Sequence, residues 1–289
     1  MTDHKADGGN GNPAANGRRR ARLAAAARRR PVRTLLAGTA GLSLVLFLFP
    51  GVDLWITGLF HGGPGQPQFP AAEIAFLKDL RALGTETMRL LVIAVLVSLI
   101  GPFLFSGQRV LFKPRAAVFL AMGLVLGPGL LVNVLLKGFW GRARPVQVID
   151  FGGDHPFSAP WVIAGNCDWN CSFVSGEASS SMFLVALALV GPRAWRTAVA
   201  TAAVVFSIVM SLNRIAFGGH FFSDVVLAWA LTLLVILIAH RIVYAPSSPF
   251  TDERIAGALG AAGDRTRRIL VGFAGRAADR VRRLAGRFR

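Results

Sequence analysis

Charged side chains are scarce in this sequence. Only 16% of its 289 residues are Asp, Glu, Lys or Arg, whereas 53% are hydrophobic and the mean hydropathy is positive. Soluble globular domains carry roughly 25% charged residues. The shortage of charge therefore argues against a soluble globule and indicates a membrane protein with several spans.

Acidic residues are the scarcer of the two signs, with 15 Asp and Glu against 32 Lys and Arg and a formal net charge of +17. The basic excess lies mainly at the two ends of the chain, because residues 1–33 carry nine Lys or Arg and residues 245–289 carry ten. Basic ends beside an apolar region suit attraction to anionic lipid of the inner leaflet. No RNA- or DNA-binding motif accompanies them, so the charge does not indicate a nucleic-acid partner.

Cysteine is nearly absent, since the chain holds only Cys167 and Cys171, spaced Cys-x3-Cys. Asp168 could add a ligand, but no pair of histidines accompanies the cysteines, so a zinc site is the weaker interpretation. If this segment lies outside the membrane, its compartment is oxidising, and a local disulfide between the two cysteines is favoured.

Six apolar segments are each near the length that a bilayer core requires. They lie at about residues 34–50, 88–106, 116–136, 177–191, 197–213 and 222–243. The first of them ends in Phe-Pro-Gly without a small-residue cleavage pattern, so a cleavable signal peptide is not expected.

The connections between these segments sort by charge. Residues 108–115 and 192–196 are short and basic and contain no acidic residue, so the positive-inside rule places them in the cytoplasm together with both basic ends. We therefore predict an all-α polytopic membrane protein with six transmembrane helices and both termini cytoplasmic. Segments 51–87, 137–176 and 214–221 then face outward, and residues 71–81 are expected to form a short amphipathic helix along the interface.

This topology divides the chain into three parts: a disordered, basic tail (1–33), the six-span domain (34–244) and a second basic tail (245–289). Apolar residues recur in the second tail at steps of three and four, at Leu270, Phe273, Ala277, Val281, Leu284 and Phe288. This spacing predicts a basic amphipathic helix on the inner leaflet. A helix that binds a protein partner is the alternative.

Three cations, Lys137, Arg144 and Arg214, would meet on the outward face, beside a candidate helix start at Ser175 and Gly176. Such a cluster suits a phosphate, because Arg offers forked hydrogen bonds, Lys a point charge and the helix start free N–H groups. The alternative is that these cations only reach lipid head groups.

His220 and Asp224 lie between the last two apolar segments, where ionisable residues usually serve a function. Their spacing of four places both on one helical face, where a carboxylate can orient an imidazole and stabilise its charge. The alternative is a pair that only caps a helix start.

Taken in order, Lys137-x6-Arg144-Pro145, Ser175-Gly176 and Arg214-x5-His220-x3-Asp224 resemble the three-part signature of the type 2 phosphatidic acid phosphatase superfamily. The resemblance covers about residues 34–244. It implies hydrolysis of a phosphomonoester or pyrophosphate, commonly on a lipid, without a metal or other cofactor.

The resemblance also assigns roles to residues. It implies that His220 is the nucleophile, which forms a phosphohistidine, and that Asp224 orients it. The groups that would hold the phosphoryl oxygens are Lys137, Arg144, Ser175, Gly176 and Arg214. These roles agree with the needs of phosphoryl transfer, which are positioning and neutralisation of charge.

Glu177 departs from the family pattern, because the second motif usually reads Pro-Ser-Gly-His and here reads Val-Ser-Gly-Glu. The family's histidine is the general acid. Glu177 can fill that role only as a carboxylic acid, a form that burial favours and nearby cations oppose. A good leaving group would reduce the need for an acid, and Asp154 or His155 could supply the proton instead.

We therefore expect a multi-pass lipid phosphatase of the inner membrane, with its site facing the periplasm or exterior. Candidate substrates are phosphatidylglycerol phosphate, phosphatidic acid, undecaprenyl pyrophosphate and the phosphorylated glucosamine of lipid A. The Glu177 departure mildly favours a specialised substrate such as lipid A. Two alternatives are a lipid phosphotransferase and a non-catalytic protein that binds lipid phosphates.

Overall fold

The described part of the chain is built from helices, with no β-strand among them. In this computed structural model, the described backbone covers residues 30–104 and 111–285, and the described side chains cover 30–101 and 111–273. In chain order the helices are α1 (Pro31–Leu48), α2 (Gly51–Gly58), α3 (Ala75–Leu104), α4 (Pro114–Leu124), α5 (Lys137–Phe139), α6 (Gly176–Phe183), α7 (Ala186–Val190), α8 (Arg196–Ala216), α9 (Phe222–Tyr244) and α10 (Asp252–Ala285).

Several shorter or irregular segments complete the fold. A π-helical segment, Val125–Leu136, joins α4 to α5 without a break. Single 3₁₀ turns lie at Pro70–Glu73, Pro145–Gln147, Ile149–Phe151 and Arg193–Trp195.

Five helical stretches are long and apolar enough to cross a membrane, namely Pro31–Leu48, Ala75–Gly101, Pro114–Phe139, Arg193–Ala216 and Phe222–Tyr244. A sixth stretch, Gly176–Val190, is apolar but shorter. These helices confirm the predicted class, an all-α polytopic membrane protein. The crossing of the shorter stretch and the cytoplasmic position of the termini stay predictions.

The interfacial helix predicted at residues 71–81 is wrong. Residues Pro70–Glu73 form a 3₁₀ turn, and α3 begins at Ala75 and continues through the apolar run to Leu104. No proline interrupts residues 75–101, and Leu, Ala, Lys and Glu in the first turns favour helix. The polar residues near Lys78 and Arg81 therefore extend the membrane helix instead of forming a separate one.

The centre of the molecule is the packing around α9, which contacts α1, α2, α4 and α6. Phe119 and Leu120 of α4, Phe183 of α6 and Ile236 of α9 belong to one buried cluster. Large apolar side chains on the outside of α1, α3 and α8 remain exposed, among them Leu44, Phe47, Leu90 and Val205. Such a surface is unfavourable in water and is suited to contact with lipid.

The π-helical segment has an evident cause in Gly127-Pro128-Gly129. Pro128 has no N–H, and its ring would collide with the carbonyl of Leu124 in a regular α-helix, so the turns widen there. The Asn133 side chain donates from Nδ2 to the Pro128 carbonyl at 2.7 Å. Lys137 directly follows this segment and lies at the same end of the helix bundle as the other motif residues.

The tails are described only in part. Residues 1–29, predicted to be disordered, lie outside the described residues, as do residues 286–289 with Phe288. Helix α10 packs against α3 and α4, and Asp252 accepts a hydrogen bond from the backbone N–H of Arg115 at 2.8 Å. Leu270 is exposed on α10, while the side chains of Ala277, Val281 and Leu284 lie outside the described residues. The lipid contact of this helix stays a prediction.

Candidate active site

His220 lies in the short connection between α8 and α9 and is only 1% exposed. Its Nδ1 lies 2.8 Å from the backbone carbonyl oxygen of Ser172. Because a carbonyl oxygen can only accept, Nδ1 carries the proton and Nε2 holds the free lone pair of the neutral ring. This is the tautomer that a nucleophilic histidine needs.

The surroundings of His220 favour the neutral ring. Burial lowers the pKa of His220 well below its usual value of 6.5, and three nearby cations lower it further. These cations are Lys137, Arg214 and Arg144. The imidazole is therefore neutral near pH 7, and the cations around it can neutralise the charge of a bound phosphate.

Asp224 reaches His220 through Ser172 and not by a direct hydrogen bond. The distance from His220 Nδ1 to Asp224 Oδ2 is 3.9 Å, which is too long for a hydrogen bond. Asp224 Oδ2 instead accepts from the Ser172 hydroxyl at 2.6 Å and from the Phe221 backbone N–H at 2.9 Å. Ser172 thus contacts the imidazole with its carbonyl and the carboxylate with its hydroxyl, a link that the sequence did not predict.

Lys137 and Arg144 are held by a single residue, Asn170. Lys137 Nζ donates to Asn170 Oδ1 at 3.0 Å, and Arg144 Nη2 donates to the Asn170 backbone oxygen at 2.7 Å. Asn170 has a φ of 53°, a left-handed conformation that asparagine tolerates better than most residues. Two of the predicted phosphate-binding cations therefore share one anchor in the loop before Ser172.

Ser175 and Gly176 form the start of α6, as the sequence predicts. The Ser175 hydroxyl oxygen caps the helix by accepting from the Ala178 backbone N–H at 3.3 Å. A Cβ on Gly176 would lie 2.6 Å from Asn133 Oδ1 and 3.2 Å from Lys137 Nζ, so a larger residue would fill this space. Glycine here leaves the helix start open beside the Lys137 ammonium group.

Arg214 is buried near the end of α8 and lies against the backbone of Gly219. A Cβ at position 219 would lie only 2.2 Å from Arg214 Nη2, so a larger residue there would displace the Arg214 guanidinium group. Arg214 Nε lies 3.3 Å from Glu177 Oε1. Arg214 therefore joins the third motif to the second.

Glu177 lies between two arginines. Besides Arg214, it is contacted by Arg81 of α3, whose Nε donates to Oε1 at 3.0 Å and whose Nη2 lies 3.0 Å from the same oxygen. The Glu177 side chain is 28% exposed. In this arrangement it accepts hydrogen bonds as an anion, so a role as general acid requires that its arginine partners leave it first.

A cavity of about 460 Å³ opens beside these residues. Lys137, Gly176 and Glu177 line one side, and apolar residues of α3 such as Met88 and Val92 line the other. A second cavity of about 360 Å³ shares Met88, Val92, Asn133 and Ser180 with the first and is otherwise mostly apolar. The site can therefore hold the phosphate group of a lipid while the apolar chains of that lipid extend between the helices.

Besides Ser172, several contributors to this site were not predicted from the sequence. Arg81 belongs to a distant helix, and Asn170 and Arg142 belong to loops that the sequence analysis treated as connections. Arg142 is fully buried and pairs with Asp224 and Asp53. A signal for this pair was present, because Asp53 is an isolated acidic residue directly after an apolar segment.

The Sγ atoms of Cys167 and Cys171 lie 2.16 Å apart, with their Cα atoms at 5.7 Å. These distances suit the predicted disulfide, which stays a prediction for the protein in solution. Among the side chains of residues 30–101 and 111–273, no group of three or more His, Cys, Asp or Glu residues could hold a metal ion.

Comparison with known proteins identifies the family of this chain. The profile of the PAP2 superfamily matches residues 116–247. The lipid A 4'-phosphatase of Rhizobium leguminosarum is 36% identical over 205 residues, which cover 67% of this chain and 88% of that protein. The lipid A 4'-phosphatase of Francisella tularensis subsp. novicida is 34% identical over 202 residues, with 70% and 90% covered.

Among solved structures, a transmembrane PAP2-type phosphatidylglycerolphosphate phosphatase from Bacillus subtilis aligns with a TM-score of 0.48 and 17% identity, over 73% of this chain and 94% of that one. The profile match and the two relatives above confirm the resemblance seen in the three motifs. The chain belongs to the PAP2 superfamily and is a multi-pass membrane phosphatase that acts on a lipid phosphate.

Proposed function

We propose that this protein removes a phosphate from the glucosamine of a lipid A-type glycolipid, through a phosphohistidine formed on His220. The two relatives described above are lipid A 4'-phosphatases, which supports this substrate class. The observation that carries the mechanism is the neutral, buried His220, whose Nδ1 is held by the Ser172 carbonyl while Lys137, Arg144 and Arg214 surround the ring.

In the first step, the Nε2 lone pair of His220 attacks the phosphorus and the bond from phosphorus to the sugar oxygen breaks. Lys137, Arg144 and Arg214 hold the phosphoryl oxygens, with the Ser175 hydroxyl and the Gly176 backbone N–H at the helix start. Asp224 supports the imidazole through Ser172. In the second step, water attacks the phosphorus, the N–P bond breaks, and inorganic phosphate leaves.

Glu177 is the proposed proton carrier. An incoming phosphate competes with the Glu177 carboxylate for Arg81 and Arg214, and binding frees that carboxylate beside the reacting group. Glu177 can then take a proton from a phosphate hydroxyl and pass it to the leaving sugar oxygen. The exposure of Arg81 supports this exchange of partners, because its side chain is 48% exposed and its ion pair is weak.

The proposal includes a topology and a location. Six spans with both termini in the cytoplasm would place the site at the outer face of the inner membrane. Residues 34–244 would form the phosphatase domain, and the basic tails, 1–33 and 245–289, would contact anionic lipid of the inner leaflet. The basic connections between the spans support this orientation.

The test is phosphate release by the purified protein from four lipids: lipid A, phosphatidic acid, phosphatidylglycerol phosphate and undecaprenyl pyrophosphate. We expect lipid A to be the best substrate, and mass spectrometry should show loss of one phosphate from its distal glucosamine. Release should continue with a chelator and should fall by at least about 10³-fold in His220→Ala, as for other nucleophile removals. His240→Gln, a histidine of α9 far from the site, is the matched control.

A phosphoenzyme trapped by rapid quenching should be stable to base and labile to acid, as a phosphohistidine is. Activity retained in His220→Ala would contradict the mechanism. Preference for another lipid would contradict the substrate. Transfer of phosphate to a second lipid, or binding without release, would favour the transferase or the non-catalytic alternative instead.

A further inference from the structure

Arg142 lies at the centre of a buried polar cluster next to His220. We call this cluster, which consists of Arg142, Asp53, Ser223 and Asp224, the hub. The Arg142 side chain is fully buried, and Nη1 donates to Asp224 Oδ1 at 2.6 Å and to the Ser223 hydroxyl at 2.9 Å. Its Nη2 donates to Asp53 Oδ2 at 2.8 Å, and its Nε donates to the Ser158 backbone oxygen at 2.9 Å. One guanidinium group therefore connects the loop before α6, the start of α9 and α2.

Asp53 secures the other side of this hub. Its Oδ1 accepts from the Ser223 backbone N–H at 2.7 Å, and its Oδ2 accepts from the Ser223 hydroxyl at 2.5 Å. A carboxylate that accepts from the first-turn N–H groups of a helix caps it and complements its dipole. Asp53 thus fixes the first turn of α9, which carries Asp224.

The hub is closed to water. The Phe221 ring covers the guanidinium carbon of Arg142 at 4.4 Å, and the Phe157 ring lies at 5.5 Å. Burial alone would lower the pKa of Arg142, but the carboxylates of Asp224 and Asp53 outweigh this effect and raise it. Arg142 is therefore a permanent cation shared by two buried carboxylates.

The hub continues to His220 without touching the cavity. Asp224 accepts from the Ser172 hydroxyl, and the Ser172 carbonyl accepts from His220 Nδ1. Asp53 and Arg142 are not among the residues that line the cavity beside Lys137 and Glu177. The side chains of Arg142 and Asp53 are 0% and 2% exposed, and the bonds that connect them to His220 run through Asp224 and Ser172. We therefore expect their effect on catalysis to pass through these two residues.

We propose that Asp53 and Arg142 are positioning residues, which set the reactive orientation of His220 through Asp224 and Ser172. The proposal rests on the proposed function, in which His220 is the nucleophile. The Arg142 guanidinium group, which is bound by Asp53 on one side and by Asp224 on the other, holds the Asp224 carboxylate in one rotamer. That rotamer sets the Ser172 hydroxyl and carbonyl, which in turn hold Nδ1 protonated and aim Nε2 at the phosphorus.

The experiment compares Arg142→Gln, Asp53→Asn and the double variant Asp53→Asn/Arg142→Gln in the full-length protein. Arg142→Gln leaves two buried carboxylates without a cation, so it should lower the melting temperature most, and the double variant should recover part of that loss. Thr57→Val is the matched control. Thr57 is equally buried on α2, one turn after Asp53, and its hydroxyl has no hydrogen-bond partner within the described residues.

The expected kinetic signature separates positioning from a loss of folded protein. In the double variant, kcat should fall by about 10–100-fold, as when groups that orient a reacting side chain are removed, while KM stays within about twofold. Rapid quenching should show slower formation of the phosphoenzyme. Inhibition by inorganic phosphate should be unchanged, since Lys137, Arg144 and Arg214 are intact. Thr57→Val should keep the wild-type kcat.

Asp53→Asn preserves the shape of the side chain and therefore serves as the test if the double variant does not fold. Its kcat should fall by about tenfold at constant KM. Wild-type kcat in a folded variant, or a loss confined to KM, would overturn the proposal. If His220→Ala retains activity, the proposed function is wrong and this proposal with it. If His220→Ala is inactive while the hub variants match the wild type, only this proposal is wrong.

Discussion

Glu177 stands where the resemblance described above implies a histidine, and its two arginine partners differ in exposure. Arg214 is only 5% exposed at its side chain, whereas Arg81 is 48% exposed. An exposed ion pair contributes about 0–1 kcal/mol, so the contact with Arg81 is easily exchanged for one with a phosphate. The buried contact with Arg214 is screened much less by solvent. Glu177 can thus hold Arg214 in place in the empty site and leave it when a singly protonated phosphate monoester arrives.

Replacing Glu177 with Gln distinguishes a proton carrier from a residue that only holds Arg214. For a lipid phosphomonoester, whose leaving alkoxide needs a proton, turnover should fall by about 10²–10⁴-fold. For a pyrophosphate, whose leaving group is already stable as an anion, the loss should be less than about tenfold. The measurement is kcat for both substrates with wild type and Glu177→Gln.

Glu86→Gln is the control, because Glu86 pairs with Arg89 on the exposed side of the same helix that carries Arg81. It should leave both rates unchanged. Equal losses for the two substrates in Glu177→Gln would contradict proton transfer and would leave Glu177 only its contact with Arg214.

At the residue scale, the sequence predicted the residues whose role depends on motif spacing. Lys137 and Arg144 both bind Asn170, and Arg214 lies against Gly219, the residue before His220, whereas their role in phosphate binding stays a prediction. Arg81 could not be predicted, because it reaches Glu177 from a helix 96 residues earlier in the chain. Arg142 could not be separated from Arg144 by sequence, since the two side chains leave the same loop in different directions.

At the element scale, the loop closed by Cys167 and Cys171 holds two of the cations that we propose to bind phosphate. Asn170 lies inside this loop and holds both Lys137 and Arg144. A further bond, from the Cys171 backbone N–H to the Lys137 carbonyl at 3.2 Å, ties the loop to the end of the π-helical segment. The disulfide would therefore fix the position of two cations that are proposed to bind the substrate.

Cys167→Ser/Cys171→Ser should raise KM more than it lowers kcat, because it loosens ground-state contacts without changing His220. We expect KM to rise by about 5–30-fold, corresponding to roughly 1–2 kcal/mol. The measurement is kcat and KM of the variant and the wild type, with and without a reductant. Intact-mass analysis of the wild type should show two hydrogen masses fewer than after reduction.

Asn170→Ala provides the internal check on this prediction. It should raise KM by a similar factor with the cysteines intact, and adding it to the serine variant should cause little further change, since both act on the same contacts. Additive effects would show that the cysteines act elsewhere. A wild-type mass that reduction does not change would contradict the disulfide itself.

The helices show why hydropathy predicted some elements and not others. Apolar runs located the five long helices, because a span needs a length and a composition that few other structures require. The start of α3 was missed because its first turns are polar, and hydropathy does not register a helix that continues beyond the apolar run. The widened turns at Pro128 were not predicted, because a proline in an apolar run indicates that the helix is distorted but not that the distortion takes the form of π-helical turns.

At the scale of the whole molecule, the site and the basic tail lie at different ends of the apolar helices. His220 lies just before the first residue of α9, Phe222, whereas α10 follows its last residue, Tyr244. The two ends of α9 are separated by a helix of 23 residues. A helix of this length spans about 35 Å, enough to cross the bilayer core. We therefore expect the charge of the tail and the cations of the site to face different membrane surfaces.

Labelling of two introduced cysteines tests this topology and the sixth span together. Gly63 and Gly257 are matched positions, because both are exposed and a Cβ at either would have no atom within 4 Å. Between them the six-span topology places five crossings, the four long helices from α3 to α9 and the shorter Gly176–Val190. Five crossings put the two positions on opposite sides of the membrane.

In intact spheroplasts, an impermeant maleimide should therefore label Gly63→Cys. It should label Gly257→Cys only after the membrane is opened. Labelling of the wild type gives the background signal from Cys167 and Cys171. Labelling of both positions from outside would mean an even number of crossings, so that Gly176–Val190 would not span. The reverse pattern would place the site in the cytoplasm. It would contradict the positive-inside assignment, because the basic connections and the basic tail would then face outward.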